Sequence, residues 1–330
     1  MRLKHGAFAA IFLIAASTFS QNSGTPAAAR KLPIWAYPVP APNGTGNGVH
    51  KSVDSSPKHV PGSTATYTLA EIRDLFEVPD WFPDSHPPMP QVVAHGRKPD
   101  VFACGYCHLP NGQGRPENAS IAGLPAAYIE QQMSDFKNGL RKSSEPAMSS
   151  VSRMVAIGKA VNPEEVKAAA EYFSSMKLKP WIRVVEVERV PKFRIAGGML
   201  VPDEGGGTEP IGNRIIEMPE NLERTELRDS TSGFVAYVPA GSLKRGENLV
   251  MTGANGTTIP CVLCHGADLK GMGNVPSIAG RSPSQMARQI IDIQTGARNG
   301  SWTQLMKGPV SKLTDEDIVS ITAYLASQTP

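Results

Sequence analysis

Several common features are scarce or absent in this sequence. After the first 20 residues there is no apolar run long enough to cross a bilayer, so no transmembrane segment is expected. Basic and acidic residues nearly balance, at 33 and 30, which gives no reason to propose a nucleic-acid partner. The triplet Gly205–Gly207 is not followed by Lys and Ser or Thr, so it is not a phosphate-binding loop. Candidate acids, bases and nucleophiles are few, and we predict no catalytic residue.

Residues 1–20 have the pattern of a secretory signal peptide. Arg2 and Lys4 form a basic start, and an apolar stretch follows from Gly6 to Ala16. That stretch is too short to span a bilayer. We therefore expect export to the periplasm, with no transmembrane segment left after the signal is removed.

Cysteine is also scarce, because the chain has only four, and all four lie in two motifs of the form C-x-x-C-H. This pattern is the attachment signature of c-type haem. Two thiols form thioethers with the two vinyl groups at one porphyrin edge, and the adjacent His turns its imidazole onto the iron. Two complete motifs predict two covalently bound haem c groups. The predicted attachment residues are Cys104, Cys107, Cys261 and Cys264, and the predicted iron ligands beside them are His108 and His265.

Two other uses of paired cysteines fit the sequence less well. Two pairs that share one structural zinc usually lie within roughly 15–20 residues of each other, whereas 153 residues separate Cys107 from Cys261. Redox-active disulfides are possible in an exported protein, but they would not require a His directly after each pair. Haem attachment accounts for the whole motif.

An internal repeat extends well beyond the two motifs. A shift of 157 residues places Cys104 on Cys261 and also superposes a Ser-Ile-Ala-Gly turn, an amphipathic helix and a Gly-x-Arg sequence that ends the helix. Past the arginines Arg141 and Arg298 the register changes to 152. In that register the helix starts at Asn162 and Thr314 align, each a capping residue with an acid three positions on.

The rest of the chain has a different composition. Pro, Gly and Ser predict an irregular N-terminal arm, pinned by Trp35 and Tyr37 and containing one short helix at about 69–77. Val-rich alternation between the two repeats predicts strands. The predicted segments are a signal at 1–20, the arm at 21–90, a first haem domain at 91–180, a small β-rich insertion at 181–241 and a second haem domain at 242–330.

The second axial ligand of each iron has to come from a loop after the repeated helix, and methionines are the candidates there. In the 152 register Met154 aligns with Met306, whereas Met148 has no partner. The repeat therefore favours Met154 and Met306. His95, nine residues before Cys104, is a rival ligand without a counterpart in the second copy, and we expect His50, His59 and His86 to be exposed loop residues.

With these residues in hand, the chain resembles the bacterial di-haem cytochromes c of the cytochrome c4 type. The resemblance covers about residues 91–180 and 242–330. It implies a mainly α architecture of two tandem class I cytochrome c domains with His/Met iron. The family uses a Pro carbonyl to accept the proton of the axial His; Pro276 stands there in the second copy and Ala119 in the first, where the backbone contact can be kept. The insertion of about 60 residues, in place of a short linker, and the arm are departures from the family.

The resemblance implies a periplasmic electron carrier rather than an enzyme. Its partners would be a redox-protein donor, such as a quinol-oxidising complex or a dehydrogenase, and an acceptor such as a terminal oxidase. Two alternatives remain open. One is a cytochrome subunit of a larger dehydrogenase, with possible association with a membrane complex. The other is a di-haem peroxidase-like or sulfur-compound oxidoreductase, which would need one iron with an open or unusual ligation.

Overall fold

A computed structural model describes residues 31–40 and 55–330 of the chain. The predicted signal at 1–20, the arm segments 21–30 and 41–54, and His50 lie outside the described residues. The chain from Leu32 to Pro330 forms one compact unit. In the described ranges no helix has the length and apolar character needed to span a membrane.

The N-terminal arm is irregular and contains one short helix, α1 (Leu69–Ile72). Its predicted capping box is present: the Thr68 side chain accepts a hydrogen bond from the Glu71 backbone N–H, and the Glu71 carboxylate accepts one from the Thr68 N–H. The helix ends earlier than predicted. The reason is that the chain beyond it bonds to another segment, with the Leu75 carbonyl accepting from Ala103 N at 2.9 Å.

Residues 31–40 of the arm pack against the second half of the protein. This agrees with the prediction that Trp35 and Tyr37 pin the arm. Both side chains are buried. The Tyr37 hydroxyl donates to Asp292 Oδ1 at 2.8 Å, and Arg288 Nη1 donates to the Ala36 carbonyl at 2.7 Å. These bonds join positions more than 250 residues apart in sequence.

The first half of the repeat is a group of five helices around its own apolar core. Val93, Ile129, Ile157 and Phe173 are among the residues buried there. Asn162 caps the last of these helices with the predicted capping box. The helices are α2 (Gln91–Ala94), α3 (Cys104–His108), α4 (Ala126–Lys137), α5 (Ser149–Ala160) and α6 (Pro163–Ser174).

The predicted β-rich insertion is confirmed, and it contains three small sheets. In the largest, the central strand is the last one, which pairs parallel with the first and antiparallel with the sixth. The other two sheets are two-stranded and antiparallel. The elements are β1 (Ile182–Val187), β2 (Arg189–Pro191), β3 (Phe193–Ala196), β4 (Met199–Pro202), β5 (Thr208–Pro210), β6 (Ile216–Pro219), a short helix α7 (Leu222–Glu226) and β7 (Phe234–Pro239).

The second half repeats the helical arrangement and shares its core with the insertion. Ile216 and Val238 of the three-stranded sheet belong to the same buried cluster as Ile291 and Ile321 of the helices. Thr314 caps the last helix as predicted. The helices are α8 (Ser242–Thr252), α9 (Val262–His265), α10 (Pro283–Thr295), α11 (Gln304–Val310) and α12 (Asp315–Ser327).

Helices α8 and α12 approach so closely that one position admits only glycine. A Cβ added to Gly246 would lie 2.0 Å from the carbonyl oxygen of Ser320. We expect Gly246→Ala to lower the free energy of unfolding by about 3 kcal/mol, the upper end of the cost of overpacking, because backbone has to move. Gly308→Ala in α11 is the matched control, since no atom lies within 4 Å of its added Cβ. Denaturant unfolding measures both, and equal effects would contradict the close approach.

Candidate haem sites

Each C-x-x-C-H motif folds into one helical turn. In the first, Cys104 and His108 begin and end α3. In the second, Cys261 caps α9 and its carbonyl accepts from His265 N at 2.9 Å. Residues three and four apart lie on the same side of a helix. The two thiols and the imidazole of each motif therefore share one face, as attachment to a single porphyrin edge requires.

Both motif histidines make the same backbone contact. Nδ1 of His108 lies 2.8 Å from the carbonyl oxygen of Ala119, and Nδ1 of His265 lies 2.8 Å from that of Pro276. A carbonyl only accepts, so Nδ1 carries the proton and Nε2 keeps its lone pair for a metal. Burial lowers the pKa of both imidazoles, which favours the neutral form that binds iron. Ala119 forms the same contact as Pro276, as expected for a hydrogen bond to a backbone carbonyl.

The first cysteine of each motif is held as the neutral thiol. Burial raises the pKa of Cys104 to about 12 and that of Cys261 to about 11, so both are protonated at neutral pH. All four cysteines are free of disulfides. Within the described residues no three His, Cys, Asp or Glu side chains come together as a metal site, and the two pairs lie in separate halves, which disfavours a shared zinc.

The candidate methionines lie on helices, not in the loops that we expected. Met154 is in α5 and Met306 is in α11. Met154 packs against the core of the first half together with Cys104, and Met306 packs against the core of the second half together with Cys261. Met148, which precedes α5, is buried in the core of the second half instead. The structure thus brings Met154, and not Met148, to the core that adjoins the first motif.

The remaining histidines are used elsewhere. His95 is exposed and pairs with Glu77 at 3.0 Å. The expectation that His86 is exposed is wrong: its side chain is buried, Nε2 lies 3.1 Å from Asp80 Oδ1, and Nδ1 lies 3.1 Å from the Tyr172 hydroxyl. The bond to Asp80 raises the pKa of His86. His59 is exposed as expected.

The two Gly-x-Arg sequences meet between the halves, which the sequence analysis did not foresee. Backbone bonds join Leu140 to Asn299 at 2.7 Å and Lys142 to Ala297 at 2.8 Å. Arg141 and Arg298 lie between these backbone bonds, and each donates side-chain hydrogen bonds to both Gln132 and Gln289. The side-chain bonds are Arg141 to Gln132 at 3.0 Å and to Gln289 at 2.9 Å, and Arg298 to Gln132 at 3.0 Å and to Gln289 at 3.3 Å. This exchange is the contact pattern of a local pseudo-twofold axis.

The paired guanidinium groups suit an anionic cofactor. Burial and the neighbouring Arg298 lower the pKa of Arg141 to about 10. Among the described residues neither arginine has a carboxylate within salt-bridge distance, and the buried Nε of Arg298 has no hydrogen-bond partner. Buried charges are costly without a counter-charge. Haem carries two carboxylates, so these arginines fit it, as do the two thiols and the free imidazole Nε2 of each motif.

Comparison with known proteins identifies the family. The family described as "Cytochrome C oxidase, cbb3-type, subunit III" matches residues 248–325. Cytochrome c-554(548) of Halomonas halodenitrificans is 34% identical over 90 residues, which are 27% of this chain and 99% of that protein. The chain belongs to the c-type cytochromes. The residues 248–325 that match the family model lie in the second half.

Longer relatives confirm the resemblance to di-haem cytochromes. Cytochrome c4 of Stutzerimonas stutzeri is 30% identical over 136 residues, which are 36% of this chain and 63% of that protein. The thiosulfate dehydrogenase electron acceptor of Thiomonas intermedia is 26% identical over 235 residues, covering 70% of this chain and 80% of that protein. The predicted function of an electron-carrying cytochrome is confirmed by these relatives.

The arginine pair generates a prediction for this cytochrome. Arg141→Gln should lower the reduction potential by an amount on the order of tens of millivolts, because losing a positive charge near the cofactor favours the more positive ferric iron. A potentiometric titration followed by absorbance measures it. Arg183→Gln is the control, since Arg183 makes only an exposed ion pair with Glu220 on the insertion. An unchanged potential in Arg141→Gln would show that the arginines do not adjoin the cofactor.

Proposed function

We propose that this protein is a periplasmic di-haem cytochrome that carries single electrons from a donor protein to an acceptor protein. The observation that carries the proposal is the duplicated motif geometry, in which His108 and His265 have the same hydrogen bond and the same free Nε2. When bound, each haem iron supplies a centre that changes between ferric and ferrous by one electron. The haem domains would be 91–180 and 242–330.

The axial ligands in this proposal are His108 with Met154 and His265 with Met306. A thioether ligand raises the reduction potential of haem iron and fills its sixth position. If a Met binds the iron in each half, neither iron has an open coordination position for a substrate. That arrangement favours an electron carrier over a peroxidase-like enzyme.

The donor in this proposal is a dehydrogenase, with this chain as its electron acceptor or its cytochrome subunit. The relative in Thiomonas intermedia is named for accepting electrons from a thiosulfate dehydrogenase, which supports a donor of that class. The periplasmic location is supported by the signal pattern in residues 1–20 and by the attachment of c-type haem outside the cytoplasm in bacteria.

The haem count tests the proposal directly. We expect two haems per chain in a pyridine haemochrome assay, and the colour should stay with the protein in acid–acetone because thioethers are covalent. Replacing both Cys261 and Cys264 by Ala should leave one haem and a less stable second half. Replacing both Cys104 and Cys107 is the reciprocal variant. A count of one in the unmodified protein, or extractable haem, would overturn the di-haem proposal.

Substitution of the methionines tests the axial ligands. Met306→Ala should remove about half of the weak near-infrared band of oxidised His/Met iron, and Met154→Ala the remainder, since each half supplies one such site. Met148→Leu is the control: it conserves volume in an apolar core and should cost less than about 1.5 kcal/mol of stability. Loss of the first-haem signal in Met148→Leu alone would assign the ligand to Met148 instead.

A further inference from the structure

The two haem motifs differ in what covers them. In the first half, the segment 222–232 of the insertion, which we call the cover, lies across the motif and the loop that follows it. The cover accepts side-chain hydrogen bonds at three backbone carbonyls. These bonds are Asn111 to Ser230 at 2.7 Å, Gln113 to Ser232 at 2.9 Å and Arg115 to Thr225 at 3.1 Å.

Arg228 is the central contact of the cover. Its guanidinium lies 3.5 Å from the ring centroid of Tyr106 and donates to the Tyr106 carbonyl at 2.8 Å. Arg228 has a φ of +58°, a backbone conformation that is uncommon for a residue other than glycine. Trp81 of the arm donates a hydrogen bond from Nε1 to the carbonyl of Leu227, the residue before Arg228, at 2.8 Å. The cover is therefore held from both sides.

In the second half, no described residue makes such contacts at the corresponding positions. The repeat register of 157 matches Tyr106 with Leu263 and Arg115 with Met272. Tyr106 is 7% exposed, whereas Leu263 is 64% exposed. The Arg115 side chain is 11% exposed, whereas Met272 is 53% exposed. Asp268 and Lys270, which match the two amide side chains that bond the cover, are also exposed.

In the first half these positions are contacted by the cover and not only by the helices of their own half. Leu263 and Met272 have no comparable covering segment among the described residues, which leaves both side chains exposed. Cys264, an attachment residue of the second motif that directly follows Leu263 in sequence, is exposed as well.

The charge around the second motif indicates what can bind there. Between Glu247 and Arg281 the only charged residues are Asp268 and Lys270, which have opposite signs. Ile259, 49% exposed, adds to the apolar surface. A segment without net charge contributes little electrostatic steering to a charged partner. Its complement is an apolar, uncharged face.

We propose that the cover closes the first motif to other proteins and that a redox partner with an apolar, uncharged face docks on Ile259, Leu263 and Met272, which we call the second-motif surface. This inference rests on the proposed function and assigns its electron exchange with other proteins to the second half. Electron-transfer partners bind through small, transient interfaces, which a surface of this kind provides.

Voltammetry of the full-length, haem-loaded protein on gold tests the docking surface. The probe is an alkanethiol monolayer ending in methyl groups, compared with monolayers ending in carboxylate or amine groups. The methyl surface should give the fastest electron transfer, with little change as salt rises.

The double variant Leu263→Glu and Met272→Glu should slow electron transfer on the methyl surface about tenfold or more, since a charge has to be desolvated at the contact. Ile34→Glu, at a 51% exposed apolar residue of the N-terminal arm, is the matched control and should retain the rate.

The single-haem variants show which half exchanges electrons. Protein without Cys104 and Cys107 should keep the fast response on the methyl surface, and protein without Cys261 and Cys264 should lose it. A faster response on a charged monolayer, an equal effect of Ile34→Glu, or a fast response from the first haem alone would overturn the docking proposal. The haem count in solution is measured on the same samples, so a failure of haem attachment is distinguished from a failure of docking.

Oxidative footprinting measures the cover without electron transfer. Met272 and Leu263 should be labelled by hydroxyl radicals, while Tyr106 should be protected. Arg228→Gly keeps the left-handed backbone and removes the side chain over the ring, so it should raise the labelling of Tyr106 severalfold. Labelling of Tyr106 in the unmodified protein as strong as that of Leu263 would show that the first motif is not covered.

Discussion

The hydrogen bond from each motif histidine to a backbone carbonyl eleven residues later is the contact on which the haem sites depend. It selects the tautomer of the imidazole and fixes its orientation, so that Nε2 is the only ring nitrogen left for a metal. The loop between has to return the chain to the ring. Glycine is required in that loop: Gly114 and Gly271 have φ values of +70° and +88°, and an added Cβ would come within 2.5 Å and 2.4 Å of the carbonyls of Ala119 and Val275.

The buried arginines couple the two halves through another repeated feature. Arg141 and Arg298 each bond the glutamines of both halves, so neither half satisfies its own polar groups completely. Asp135 and Asp292 act on Arg141 only from beyond salt-bridge distance, and two buried like charges without a direct ion pair are unfavourable by themselves. The arrangement is understandable if a cofactor supplies the counter-charge, because the halves and the two cofactors then stabilise one another. Haem binding and packing between the halves would be linked.

Much of the fold could be predicted because its determinants are local. The haem motifs, the capping boxes at Asn162 and Thr314 and the strands of the insertion all follow from residues that are close in sequence. The alignment of Met154 with Met306 also came from the repeat. What failed depended on distant residues. His86 is buried against Tyr172, 86 positions away, and helix α1 is short because Leu75 bonds to Ala103. The helices that carry the methionines were missed because neither begins with a side-chain capping hydrogen bond like those at Asn162 and Thr314.

The cover shows why a repeat in sequence does not imply two equivalent sites. Locally the two motifs are alike, with the same helical turn and the same bond to a carbonyl. Their surroundings differ because the chain contains only one such insertion, and its two parts contact different halves. Its sheet packs with the second half, and its α7 segment contacts the first. A segment that reaches one copy cannot reach the other. Arg115, whose side chain bonds the cover in the first copy, therefore aligns in the repeat with an apolar residue, Met272, of the second copy. The asymmetry lies in long-range contacts, and it turns a duplicated electron carrier into one with an enclosed half and an accessible half.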